Sequence, residues 1–112
     1  MQDSPAILVQ DPPVPGTQAV YPDVVAEIES LISHAATKQT VIADFLARVD
    51  MGIATYGDPL CYDSVGRDFR IDAYQELLDA VHYLMTDDKR RWLTQIRYLL
   101  ALSADIRRTI PS

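Results

Sequence analysis

Apolar residues recur every three to four positions through most of this chain, and no segment alternates apolar and polar residues one by one. Val24, Ile28, Leu31, Ile32 and Ala35 form one stripe, which Ile42, Phe45, Leu46, Val49 and Ile53 continue. Tyr74, Leu77, Leu78, Val81 and Leu84 form a second, and Trp92, Ile96, Leu99, Leu100 and Leu102 a third. A period near 3.6 residues lines up such side chains along one face of a helix, whereas a strand needs a period of two. The expected fold is all-α, a small antiparallel bundle of three or four helices.

Residues 1–22 stand apart, holding five of the seven prolines. Proline sets φ and disfavours helix at the residue before it, so this segment is expected to be an extended arm ahead of a helical domain over 23–112. It is either a disordered tail or an arm whose "AILV" packs on another subunit. Helical periodicity runs from Asp23 to Ala54. The polar "TKQT" (37–40) divides it into two helices with Thr37 as N-cap, unless one long helix runs through. "YGDPLCYDSVG" (56–66) is rich in turn formers and reads as a loop. A third helix is expected from about Asp68 to Met85, after which "TDD" (86–88) supplies an N-cap for a fourth.

At 112 residues the chain has the length of one domain. A net charge of −6 argues against a nucleic-acid backbone or an anionic membrane as the main partner. An anionic substrate remains compatible with that charge, because bound divalent cations reverse the local field. Cys61 is the single cysteine, which rules out an internal disulfide and a thiolate metal cluster and fits a reducing, cytoplasmic setting. No apolar run reaches the roughly 18–20 residues of a membrane span. No GxxxxGK[ST] loop is present either, which disfavours an ATPase of that class.

Chemistry concentrates in "DAYQELLDAVHYL" (72–84). Asp72, Glu76 and Asp79 lie three and four positions apart and so form a row along about two helical turns, with Tyr83 beyond them. No Lys or Arg occurs between 71 and 88 to neutralise that row, though mixed signs are usual on helix surfaces. Ala73 and Ala80 beside the acids allow close approach by another helix. Cations bracket the helix, in "GRD" (66–68) before it and "KRR" (89–91) after it. The row is either a solvated acidic face or a site for hard divalent cations, which take carboxylate, water and phosphate oxygens. Arg48, Arg67, Lys89 and Arg90 are candidates to hold phosphate, since guanidinium in particular pairs with it bidentately. Tyr56 and Tyr83 are candidates to stack on a base. His34 and His82 lack paired ligand spacing and are read as structural, and Trp92 as core.

The ordered elements Arg48-x-x-x-Gly52-x-x-x-Tyr56-Gly57, Gly66-Arg67-Asp68 and Asp72-Ala73-Tyr74-Gln75-Glu76-x-x-Asp79 resemble short phage proteins among the MazG-like all-α nucleoside triphosphate pyrophosphohydrolases. The resemblance spans residues 43–84, and the MazZ-type (d)GTP enzymes are nearest in kind. It implies an oligomeric helical protein, a dimer or tetramer, in the host cytoplasm if phage-encoded. It also implies cleavage of a nucleoside triphosphate, dGTP or GTP favoured, to monophosphate and pyrophosphate with two or more Mg²⁺ or Mn²⁺ ions. By position, Glu76 and Asp79 match the Glu-x-x-Asp ligands and carry the catalytic role, with Asp72 placed for a second ion. The upstream Glu-Glu-x-x-Glu motif of the family is absent here. Asp44, which shares a face with Arg48 and lies off the apolar stripe, is the candidate ligand in its place. The alternative is a non-catalytic helical protein that binds a basic partner through its acidic face.

Overall fold

The computed structural model describes residues 10–111 and is all-helical, with α1 Tyr21–Leu31, α2 Ala35–Tyr56, α3 Phe69–Asp88 and α4 Leu93–Thr109. Among the described residues the only β-type pairing consists of isolated bridges. The chain forms two compact units. Asp11–Arg67 make one, and α3 and α4, with Gln10, belong to the other.

In the first unit, α1 opens with Pro22 in its first turn and Asp23 near its positive end, both favourable there. The chain then turns through 32–34. His34, in an extended conformation, accepts the backbone N–H of Thr37 on Nδ1 at 3.2 Å and so caps α2. The break therefore precedes "TKQT", which lies in the opening turns of α2, and His34 rather than Thr37 is the N-cap. Thr37 occupies the third helical position, and its hydroxyl also meets His34 Nδ1, at 2.9 Å. At the other end Gly57 takes φ +88° and returns its N–H to Ile53 O at 2.7 Å, a left-handed helix stop that favours glycine. A three-residue connection between packed helices doubles α2 back on α1.

Residues 14–20 are held within the chain. They pair antiparallel with the loop after α2, through bridges Val14–Val65 and Ala19–Cys61 and through Val20 N–H to Leu60 O at 2.9 Å. The buried Cys61 lies in this pairing. "AILV" (6–9) lies outside the described residues.

In the second unit, Asp68 caps α3 by accepting the N–H of Arg70 at 3.0 Å. The Arg70 guanidinium grips the same carboxylate and donates to Thr109 O at 2.7 Å. That bond joins the start of α3 to the end of α4, so the two helices run antiparallel. The guanidinium also holds the Asp68 carboxyl below its usual range. Val81, Ile96, Ser103 and Ile110 are buried in this unit, the Ser103 hydroxyl donating to Leu99 O at 2.7 Å. The third helix runs past Met85 to Asp88. Asp88 accepts the N–H of Arg91 at 3.0 Å within the 89–92 turn, while α4 itself starts without a side-chain cap. Trp92 is half-buried rather than core. Its Nε1–H donates to Asp87 at 2.8 Å, and the Arg91 guanidinium lies 4.9 Å from its ring centre. No helix among the described residues is long and apolar enough to cross a membrane.

Candidate functional site

Helix α3 carries the acidic row because its opposite face packs. Val81 is buried and Tyr74, Leu77 and Leu84 half-buried, which turns Glu76 and Asp79 to solvent. Asp72, one turn earlier, is half-buried and faces Gln10 Nε2 at 3.4 Å. Gln10 also donates to Asp68 O and accepts the Asp68 N–H, both at 2.9 Å, which ties it to the first turn of α3. Glu76 and Asp79 have no hydrogen-bond or ion-pair partner among the described residues. Tyr83, 71% exposed, stacks beside His82 with ring centres 6.4 Å apart.

Among the described residues no group of three or more His, Cys, Asp or Glu side chains comes together to hold a metal ion. The donors of this one chain are thus a pair one turn apart, Glu76 and Asp79, with Asp72 a further turn back. Hard divalent cations of the Mg²⁺ type are commonly bound by one or two carboxylates, with water and substrate phosphate oxygens completing the shell. The donor chemistry fits such an ion; it does not form a closed all-protein site.

The other sequence candidates fall in different places. Asp44 is exposed on α2, in the unit that does not contain α3. Arg67 belongs to that unit too, and its Nη1 donates to Asp11 O at 3.1 Å. Lys89 and Arg90 are exposed in the turn after α3. At about 1.5 Å per residue they stand roughly 15 Å beyond Asp79 along the helix of the same chain. Arg48 and Tyr56 do come together, on a pocket of about 340 Å³ within the Asp11–Arg67 unit.

That pocket has an aliphatic wall from Val24, Val49, Ile53 and Leu60 and aromatic surface from Tyr21, Phe45 and Tyr56. Arg48 and Asp58 bring one charge of each sign to the lining, and Gly52 leaves a gap in the α2 wall. Asp58 escapes sequence reasoning, and Gly52 enters it only as a motif glycine with no place in a site. Asp58 sits in a Gly-Asp-Pro run that reads as turn chemistry alone, and Gly52 is masked by the strong helical periodicity around it. The available signal was a glycine amid good helix formers, which weakens a helix without obvious cause.

No protein-family model matches the chain, and neither a curated protein nor a solved structure is significantly similar to it.

Proposed function

We propose that the chain is a divalent-metal-dependent nucleoside triphosphate pyrophosphohydrolase, with dGTP or GTP as favoured substrate and a homo-oligomer as the working form. The observation that carries this reading is the pair Glu76 and Asp79, exposed and without partners among the described residues, on a helix that has no neutralising cation from 71 to 88. Adjacent like charges on a helix are unfavourable by about 0.2–0.5 kcal/mol per pair. A helix that keeps them gains most when something positive sits on them.

Glu76 and Asp79 would hold Mg²⁺ or Mn²⁺, with Asp72 one turn back. Such an ion, when bound, supplies a more acidic water and neutralises charge on phosphate oxygens. Glu76 orients the attacking water and accepts its proton as the water oxygen bonds to phosphorus. The bond from that phosphorus to the α–β bridging oxygen breaks, and the departing phosphate takes the electron pair, which yields monophosphate and pyrophosphate. The test is pyrophosphate release with Mn²⁺ across the nucleoside triphosphates, beside Glu76→Gln and Asp79→Asn. Release by the wild type and its loss in both variants is the expected result; release undiminished in Glu76→Gln refutes the role given to this helix.

A second reading is favoured by the missing Glu-Glu-x-x-Glu motif upstream of α3. It is a non-catalytic helical protein whose α3 acids bind a basic partner. Salt-sensitive binding of a polybasic peptide, without any pyrophosphate release, would select it.

A further inference from the structure

Helices α3 and α4 pack antiparallel through one face each, and Val81 and Ile96 are buried in that contact. A second apolar row lies beside it. Leu78 and Met85 stand seven residues apart on α3, and Leu93 and Leu100 seven apart on α4. Seven residues fall within about 20° of two full turns, so each pair lies along one flank of its helix. Leu78 is three residues before Val81 and Leu100 four after Ile96, which sets both about 40–60° to the same rotational side of the buried face. Flanks of like sense meet on one side of an antiparallel pair, because turning a helix end for end also exchanges its left and right. The four residues therefore form one seam along the hairpin. Leu78, Met85 and Leu100 are 38%, 41% and 44% exposed, and Leu93 is half-buried.

Charge is divided between the two helices. Five carboxylates and one arginine lie on α3, against three arginines and one carboxylate on α4. Arg97 and Arg108 lie just beyond Leu100 on the seam side of α4, both exposed. Arg108 pairs with Asp105 of its own helix, whereas Arg97 has no hydrogen-bond or ion-pair partner among the described residues. Asp79 lies at the outer edge of the same side of α3.

We infer that a second copy of this chain docks on the seam, hairpin against hairpin about a twofold axis parallel to the helices, so that α3 of each copy packs beside α4 of the other. This rests on the homo-oligomer named above and deepens it, without drawing on the metal chemistry. An apolar row with a seven-residue repeat matches another of its kind, and four helices so joined close a bundle around the leucines. Two twofold arrangements bring the seams together. One lays α3 on α3 and sets two acidic helices side by side; the other alternates acidic and basic helices around the bundle. Charge complementarity selects the second. Arg97 of the partner subunit then borders Asp79. The second copy thus brings to the acidic row a cation that α3 lacks from 71 to 88.

The experiment is analytical ultracentrifugation of the full chain at micromolar concentration, with circular dichroism to check the helices. The wild type should self-associate. Leu78→Glu and Leu100→Glu should each weaken association at least about tenfold, since each puts a charge where a leucine is buried. Tyr98→Glu, on the solvent face of α4, should associate as the wild type does. Arg97→Glu should weaken association at least about threefold, and adding Asp79→Arg should recover that loss. Should a leucine variant fail to fold, the charge-reversal pair, at two exposed positions, still decides. Leucine variants that associate like the wild type, or equal weakening by Tyr98→Glu, overturn the docking on this seam and leave a homo-oligomer held elsewhere. A double variant no tighter than Arg97→Glu alone overturns the placing of α3 beside α4. A wild type that stays monomeric overturns the docking and the homo-oligomer together.

Discussion

Asp63 holds Thr17 by three hydrogen bonds of 2.9 Å. The Thr17 N–H lies that close to both carboxylate oxygens, and the Thr17 hydroxyl donates to Oδ2. The Gln18 N–H adds a further bond to Oδ1, also at 2.9 Å. The carboxylate thereby satisfies backbone donors where the segment 14–20 passes the loop after α2, between the two bridges that pair them. Hydrogen bonds to the ionised form, first from Gln18 N–H and then from Thr17, lower the Asp63 pKa from 3.8 to about 2.

A carboxylate with a folded-state pKa below its unfolded value stabilises the fold above the unfolded pKa and loses that contribution as pH falls. The Asp63 contribution should be complete above about pH 4 and fade toward pH 2. Thermal melts across that window should show a decline that Asp63→Asn flattens, with the variant less stable than wild type at pH 7. Parallel profiles for the two proteins would contradict the clamp.

Gly16 lies against this clamp. A Cβ there would fall 2.2 Å from Asp63 Oδ1 and 2.9 Å from the Asp63 backbone carbonyl carbon. Gly16→Ala should therefore destabilise, by about 1–3 kcal/mol as for other overpacked sites, because the backbone and the bonded carboxylate must both shift. Chemical denaturation measures it. The double variant Gly16→Ala with Asp63→Ala should recover part of the steric loss.

Two other glycines should respond in opposite directions. Gly52 has open space before it and lies in a helix interior, so Gly52→Ala should stabilise by up to about 1 kcal/mol. Gly57 has equally open space but φ +88°, so Gly57→Ala should destabilise by about 1–2 kcal/mol. Melting temperatures that move the same way in both variants would contradict the helix stop at Gly57.

For the α3 acids the expected signature is dependence on metal. Mn²⁺ should raise the melting temperature, since a ligand of the folded state stabilises it by mass action. Without metal, Glu76→Gln should be neutral or slightly stabilising, because one repulsive pair is lost. With metal and dGTP the same variant should release no pyrophosphate. A solvated face would show no shift with Mn²⁺ and no difference between variant and wild type.

Self-association is expected as well. Leu78, Leu100 and Leu102 are each at least 38% exposed on α3 and α4, and no residue of α1 or α2 is buried. Light scattering at micromolar concentration should report a dimer or tetramer rather than 12.6 kDa. A strictly monomeric chain would remove the oligomer from the functional reading.

Helix existence was legible without coordinates, because the 3.6-residue spacing of residues such as Val81 and Ile96 leaves only one way to line apolar side chains along a face. The acidic row was legible for the same reason, since Asp72, Glu76 and Asp79 are neighbours on any helix that contains them. That Glu76 and Asp79 are without partners among the described residues was not, because it depends on which face of α3 packs. Helix ends were less legible. His34 caps α2 only because its imidazole folds back on Thr37, and Asp88 prolongs α3 because its side chain is engaged in the following turn. Contacts between distant residues could not be read at all. Asp63 with Thr17, Arg70 with Thr109, and Arg48 with Asp58 on one pocket are joined by chain folding over 10 to 46 residues of sequence, which local periodicity does not encode.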